Sequence, residues 1–271
     1  MESGLRDQAV LVTGASGGIG AATAAAFAGE GCAVAVHYFR NSAGAEGIAK
    51  DLSARHGVTC IAVGGDLRQE DEVQGVFDQT RAALGRLDHL VVNAGVAELA
   101  SVPVHRMSLE QWDDTLTADL TSAFLCSRAF FRLLEQEPRD ECSLVFVAST
   151  AALYGEAGHC DYSAAKAAMA HGLTLSLKNE IVELAPRGRV NCVCPGWVRT
   201  PMTETLVADP RHVQKATATM ALQKIATPDD IARSVLFLAS PRLAGHISGE
   251  MLTVAGGMEG RLLHGELKPP R

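Results

Sequence analysis

Tyr162 and Lys166 stand four residues apart in a run, Tyr162-Ser163-Ala164-Ala165-Lys166, that reads as helix. That spacing puts both side chains on one helix face. A lysine ammonium beside a phenol favours the phenolate, because opposite charge stabilises the ionised form. A tyrosine whose pKa is lowered in this way can pass a proton to or from an oxygen near neutral pH. Ser149 stands at the end of an apolar run read as the fifth strand. Ligands of open α/β sheets sit at the carboxyl ends of the strands, so its hydroxyl can hydrogen-bond the same substrate oxygen. Alone, Tyr-x-x-x-Lys more often marks an ordinary surface pair, and the rest of the chain has to decide.

A second group of residues suits a phosphate. Thr13-Gly14-Ala15-Ser16-Gly17-Gly18-Ile19-Gly20 follows the apolar stretch Ala9-Val10-Leu11-Val12 and opens onto an alanine-rich helical stretch, 21–28. A glycine turn between strand and helix lets backbone N–H groups and the positive helix end meet a phosphate. The spacing is G-x-x-x-G-x-G rather than the more familiar G-x-G-x-x-G.

These residues need a scaffold, and the chain supplies one. Strand-like runs are read at Ala9–Thr13, Ala33–His37, Thr59–Val63, Leu90–Asn93, Leu144–Ser149, Val190–Cys194 and Met251–Val254. Helical patterns fall near Gly18–Glu30, Gly44–His56, Gln69–Leu84, Leu109–Leu134, Tyr162–Leu184 and Asp229–Ala239. Strand–helix alternation with continuous Val/Ile/Leu-rich strands predicts an α/β fold: a Rossmann-type, doubly wound parallel sheet of about seven strands. No repeat, linker or composition break divides the chain. One domain is expected over 1–258, with a C-terminal tail over 259–271. The 196–223 segment is long for a plain connection and reads as a binding loop or lid.

Composition narrows the function classes. With 47% apolar residues among 271, the chain can bury a large core. A net charge of −7 without a basic block argues against nucleic acid or an anionic membrane as partner. No apolar run is long enough to span a bilayer, and the first residues lack a signal-peptide stretch. The seven cysteines are scattered and read as reduced, mostly buried thiols of a cytoplasmic protein. Cys192 and Cys194, on one strand, are expected to face opposite sides of the sheet. The nine histidines show no mutual metal spacing, and no metal site is expected. His159, three before Tyr162, is the one expected near the reactive group, as a substrate contact or an ordinary loop histidine.

Together the motifs resemble the short-chain dehydrogenase/reductase family in its ordinary single-domain branch, and within it the 3-oxoacyl-acyl-carrier-protein reductase-like group. The resemblance rests on Thr13–Gly20, Gly65-Asp66-Leu67, Val92-Asn93-Ala94-Gly95, Ser149 placed 13 residues before Tyr162, the Tyr162–Lys166 run, Cys194-Pro195-Gly196, and Gly249 through Gly256-Gly257. It runs from about Gln8 to Met258. It implies hydride transfer between a nicotinamide and a carbon bearing oxygen on a small-molecule substrate, with Tyr162 as acid/base. Lys166 would hold the nicotinamide ribose and lower the tyrosine pKa, and Ser149 would orient the substrate oxygen. Gly14, Ser16, Gly18, Ile19 and Gly20 would line the pyrophosphate, and Asp66 and Leu67 would flank the adenine. Asn93, with Ala94 and Gly95, would fix the strand end under the cofactor. Pro195, Gly196, Val198 and Thr200 would wall the nicotinamide side. The helices 109–134 and 162–184 form the dimer face in related proteins, which implies a homodimer or homotetramer.

Two positions modify that expectation. Asp119 stands where the family usually has an asparagine supporting a water in the proton relay. An aspartate adds charge and loses an amide donor, so it can rewire or weaken the relay. At the end of the second strand the chain reads His37-Tyr38-Phe39-Arg40-Asn41-Ser42, with no carboxylate to bond a ribose 2′-OH. Arg40 can fork a 2′-phosphate and Ser42 can add a hydroxyl. NADP(H) is therefore favoured over NAD(H), although Gly17 occupies a position where many NADP-dependent members carry a cation. The expected activity is NADPH-dependent reduction of a 3-oxoacyl thioester or other ketone. The alternatives are an NAD-dependent alcohol, sugar or steroid dehydrogenase, and a nicotinamide-binding sensor or scaffold without turnover. Trp197, Met202, Leu99, Leu153 and Tyr154 are candidate substrate contacts or plain packing.

Overall fold

Seven apolar stretches become strands: β1 (Ala9–Val12), β2 (Ala33–Tyr38), β3 (Cys60–Gly64), β4 (His89–Val92), β5 (Ser143–Val147), β6 (Arg189–Pro195) and β7 (Met251–Val254). In the computed structural model, which describes residues 2–96 and 100–259, they form one sheet ordered β3-β2-β1-β4-β5-β6-β7. Every pairing is parallel. Strands of such a sheet are buried on both faces and need no polar alternation. β1 pairs with β2 on one side and β4 on the other. The order reverses there, and the ligand crevice of a doubly wound sheet opens at that point.

The helices are α1 (Gly18–Gly29), α2 (Ser42–His56), α3 (Glu70–Leu84), α4 (Leu109–Leu116), α5 (Ser122–Gln136), α6 (Ala151–Tyr154), α7 (Cys160–Ala167), α8 (Thr174–Leu184), α9 (Glu204–Val207), α10 (Pro210–Thr217) and α11 (Pro228–Ala239). α1, α2 and α11 cover one sheet face, packing Phe27, Leu52, Ile231 and Leu238 onto Val34, Val36 and Val193. α3, α5 and α8 cover the other, packing Phe77, Phe130 and Ile181 onto Leu144, Phe146 and Cys192. Burying each large apolar side chain contributes about 1.5–3 kcal/mol.

The expected helices over 109–134 and 162–184 are present with a local change of winding. A π-helical segment, Thr117–Thr121, joins α4 to α5, and a second, Ala168–Leu173, joins α7 to α8. The Thr174 hydroxyl closes the second by donating to the Met169 carbonyl five residues back, at 2.9 Å. Such wide turns concentrate at functional sites. Two other expectations shift. β5 ends at Val147, so Ser149 lies in the turn beyond the strand, its Oγ accepting the Ala151 N–H at 3.1 Å. The 196–223 connection carries α9 and α10. Of the tail expected over 259–271, Glu259 alone falls within the described residues.

Cys192 and Cys194 correct the sequence reading. They share one face of β6, with Sγ atoms 3.9 Å apart, because residues two apart on a strand point the same way. Val193 takes the opposite face. All seven cysteines are free. Among the described residues no helix is long and apolar enough to cross a membrane.

Two histidines inside the sheet make stability depend on pH. Burial pushes His37 and His89 down to about 4 from an ordinary 6.5. Below pH 6.5 the unfolded chain takes up protons that both folded imidazoles refuse. Unfolding free energy should therefore fall as pH drops from about 6.5 towards 4, by up to about 3 kcal/mol for each histidine. Urea unfolding across that range checks this. His89→Gln should remove close to half of the slope those two residues contribute, and a flat profile would contradict the assignment.

Candidate active site

The glycine run following β1 is shaped by close approach. Gly14 has φ +63°, and a Cβ there would come within 2.9 Å of the Ala94 Cα. A Cβ on Gly20 would meet the Gly14 carbonyl oxygen at 2.4 Å. His37 braces the turn from β2, its Nδ1 accepting the Gly14 N–H at 3.1 Å. Its Nε2 lies 3.0 Å from the Gly65 carbonyl oxygen, which places the ring proton on Nε2. Gly17 precedes α1 and offers no side-chain cap. The first-turn N–H groups at Gly18, Ile19 and Gly20 thus have no partner within the helix. Gly18 and Ile19 line a cavity of about 410 Å³ at the carboxyl ends of β1, β4 and β5. An uncapped helix start on a side-chain-free turn fits the pyrophosphate of a dinucleotide.

Across the switch point, Thr13 and Asn93 bind β1 to the chain beyond β4. The Thr13 hydroxyl accepts the N–H groups of Asn93 and Ala94, each at 2.9 Å. The Asn93 amide donates to the carbonyls of Thr13 at 2.9 Å and Gly14 at 3.2 Å. Asn93, Ala94 and Gly95 all line the cavity, as do Gly14, Ser16, Asn41, Thr200, Tyr162 and Lys166.

Tyr162 and Lys166 rise from α7 on one face, with the Lys166 Nζ 5.5 Å from the phenol ring centroid. Ser149 lies close enough to the Tyr162 oxygen to favour its ionised form. The lysine is buried and sits 3.0 Å from Oδ2 of Asp119, in the π-helical turn between α4 and α5. This contact is a charge pair rather than an aligned hydrogen bond. The other Asp119 oxygen accepts the Val96 N–H at 2.7 Å. Burial alone would push the lysine down, but Asp119 and then the Tyr162 oxygen hold it above its ordinary value. The ammonium is fixed.

The phenol does not follow the simple expectation. Burial, the largest influence, raises its pKa. Lys166 pulls it down, Asp119 pushes it back up, and Ser149 lowers it again. The net direction is upward, because burial together with the Asp119 charge outweighs the pull of Lys166 and Ser149. The four side chains can hold an oxygen and exchange a proton with it, and the neighbouring cavity can hold a dinucleotide.

The chain as a whole is similar to known proteins. A family model described as enoyl-(acyl carrier protein) reductase matches residues 14–259. A 3-oxoacyl-[acyl-carrier-protein] reductase of Synechocystis sp. is 36% identical, over 94% of this chain and 98% of that protein. The chain belongs to the short-chain dehydrogenase/reductase family. A cis-4-hydroxycyclohexanecarboxylate dehydrogenase of Sinomonas cyclohexanicum is 34% identical over 95% of the chain and 98% of the relative. A solved 7α-hydroxysteroid dehydrogenase, complexed with NADH and 7-oxo glycochenodeoxycholic acid, superposes with a TM-score of 0.86 at 28% identity. That match covers 97% of this chain and 99% of the other. As a member of this family the chain is an oxidoreductase acting on CH–OH and C=O groups, and its relatives act on small molecules.

The short-chain dehydrogenase frame also sorts the remaining sequence candidates. Asn41 caps α2, accepting the Gly44 N–H, and donates to the Ser16 carbonyl at 3.3 Å. It therefore ties β2 to the glycine turn. Arg40 lies over the Phe39 ring at 4.9 Å, Arg68 over the same ring at 5.3 Å, and Ser42 begins α2. The Arg68 guanidinium forks the Asp66 carboxylate at 2.8 and 2.6 Å. Leu67 and Val198 are buried in the two cores rather than on the cavity wall. Pro195 and Gly196 lie at the end of β6, where the Pro195 carbonyl accepts the Thr150 N–H at 2.8 Å. Tyr154 donates to the Met258 carbonyl, and Trp197 packs edge-on to His212 at 4.8 Å. Leu99 lies outside the described residues. Sequence reasoning missed His37, whose role needs the fold, and Val96, whose backbone rather than side chain acts.

Replacing Asp119 by Asn should remove the negative charge that raises the phenol's pKa. The pH limb of turnover that reports Tyr162 should then move to lower pH, in oxidation and reduction alike. A pH–rate profile of D119N checks this, and a limb that stays in place would separate Asp119 from the phenol.

Proposed function

We propose that this oxidoreductase is an NADPH-dependent carbonyl reductase that converts a 3-oxoacyl thioester or another ketone to a secondary alcohol with Ser149, Tyr162 and Lys166. The observation that carries the reading is the convergence of the Tyr162 and Ser149 hydroxyls beside Lys166, at the edge of the cavity formed by Gly14–Ile19 and Asn93–Gly95. Gly14, Ser16, Gly18, Ile19 and Gly20 would hold the pyrophosphate, and Lys166 the nicotinamide ribose. Thr200, Pro195 and Gly196 would flank the ring. Bound there, the cofactor supplies the hydride that the carbonyl carbon takes up. The chain's own part is the proton. Ser149 donates a hydrogen bond to the substrate oxygen and holds it against Tyr162. Tyr162 passes its phenolic proton to that oxygen as negative charge develops, leaving a phenolate that Lys166 stabilises. Run backwards, the same phenolate takes the proton from an alcohol.

Arg40 supports the choice of NADPH. The end of β2 offers a guanidinium and no carboxylate, which suits a 2′-phosphate. A second reading, an NAD-dependent alcohol dehydrogenase, has its own support. Gly17 brings no cation to the glycine turn, although a Cβ there would meet nothing within 4 Å. The solved steroid dehydrogenase was captured with NADH. Exposed Phe124 on α5 with Leu175 and Val182 on α8 supports self-association into a homodimer or homotetramer.

Oxidation of NADPH and NADH, followed in parallel with an acetoacetyl thioester, tests the reading. NADPH should be preferred, and Tyr162→Phe should lower kcat at least about 100-fold. Arg40→Ala should raise the KM for NADPH about 10-fold or more while sparing NADH, the loss of one charge-assisted fork. Preference for NADH, unaffected by Arg40→Ala, would install the second reading. Full activity of Tyr162→Phe would overturn the acid/base assignment.

A further inference from the structure

Asp161, immediately before Tyr162, is a buried carboxylate for which the chemistry above has no use. It is the second residue of α7 and only 2% exposed. Its Oδ2 accepts the Thr115 hydroxyl at 2.9 Å and the Gln111 side-chain amide at 3.1 Å, both from α4. The backbone N–H groups of Tyr162 and Asp161, at the helix start, further favour the ionised carboxylate. Burial works to raise its pKa, but these donors outweigh it and hold the group below its ordinary value. An acid in the first turn of a helix commonly caps that helix alone. Here the carboxylate also reaches across to a second helix, and α4 is prepared for it. Ser108 caps α4 by accepting the Gln111 N–H at 3.1 Å, and Thr115 is itself buried.

The consequence lies in the order of residues along the two helices. On the α4 side, Thr115 comes four residues before Asp119. On the α7 side, Asp161 comes five before Lys166. The helices are thus joined twice, by Asp161 with Thr115 and Gln111, and by Lys166 with Asp119 at 3.0 Å. Tyr162 sits on α7 between the two joints. The charged groups whose fields bear most on its oxygen are Lys166, Asp119 and Glu156. The Asp161 charge is spent on neutral donors facing α4. Asp161 therefore bears on the phenol through position rather than through field.

We infer that Asp161 is a positioning residue that locks the start of α7 onto α4 and so fixes the Tyr162 hydroxyl for proton transfer. This rests on Tyr162 being the acid/base. A small displacement of an oriented catalytic group is enough to cost about 100-fold in rate. Asp161→Ala should lower kcat about 10-fold or more, while the dissociation constant of the nicotinamide cofactor, read by fluorescence, and the pH limb assigned to Tyr162 stay where they are. Asp161→Asn keeps an oxygen for Thr115 and should recover most of the loss. Thr115→Val, which keeps side-chain shape and deletes one donor, should lower kcat about 3-fold or more, again without moving the limb. Tyr162→Phe is measured alongside. If it is fully active, the acid/base reading fails. If it is inactive while Asp161→Ala stays within twofold of the parent kcat, the positioning role alone fails. A shifted pH limb, with Asp161→Asn as impaired as Asp161→Ala, would mean that Asp161 acts through its charge and would overturn the inference. Should Asp161→Ala not fold, Thr115→Val carries the test, and an unchanged kcat in it overturns the inference equally.

Discussion

A lysine ammonium with 5% of its side chain exposed is the constraint around which this site is built. Burial without a counter-charge gives a cation the option of giving up its proton more easily. Asp119 removes that option by standing 3.0 Å away, fully buried itself. The pair needs three segments held in place: α7 for the lysine, the π-helical turn between α4 and α5 for the aspartate, and the chain after β4, whose Val96 N–H ties down the second carboxylate oxygen. Gly95 belongs to the same constraint. A Cβ there would come within 2.9 Å of the Lys166 Nζ and 3.1 Å of Asp119, so the backbone must pass bare. One electrostatic requirement thus fixes the relative placement of two long helices and one strand end.

The glycine turn answers to the same strand ends. Gly14 must lie within van der Waals reach of Ala94, and Asn93 must reach two carbonyls of the turn. His37 holds the far side and must stay neutral to do so, since its Nδ1 accepts while its Nε2 donates. The glycine turn and the Tyr162–Lys166 pair are therefore two ends of one network that crosses the sheet at the β1–β4 switch point. Displacement of β4 would disturb both.

How much of this was legible in the residues follows from the range of each interaction. The strands were legible because a parallel sheet buried on both faces demands unbroken runs such as Val10-Leu11-Val12, and such runs have few other uses. Tyr162, Lys166 and the glycine turn were legible because their chemistry depends on local spacing. The π-helical turns at 117–121 and 168–173 were not, for neither Gly nor Pro marks Thr117–Thr121, and the wide turn answers to packing between helices. The direction of the Tyr162 shift was not legible either. The spacing showed the lysine, but only the fold shows that the phenol is buried and that Asp119 stands beside it. Cys192 and Cys194 were within reach of the sequence, since strand periodicity alone puts residues two apart on one face. His37 acts across 23 residues to Gly14 and 28 to Gly65, beyond any local pattern.

The two buried aspartates of this site show why formal charge is a poor guide to influence. Asp161 has two neutral donors from α4 on one carboxylate oxygen, and the N–H groups of its own helix start also favour its charged form. Such donors hold the carboxylate in its charged form, and Asp161 is not among the leading influences on the phenol. Asp119 has one N–H on one oxygen, and its other oxygen faces the lysine. Its negative charge acts on the phenol directly, opposing the pull of the ammonium. An asparagine at 119 would relieve the phenol of that charge but would also leave a buried cation without a counter-charge. The aspartate therefore exchanges a lower phenol pKa for a fixed, permanently charged lysine. The site it produces depends on accurate placement of Tyr162 more heavily than one whose phenol is already easy to ionise.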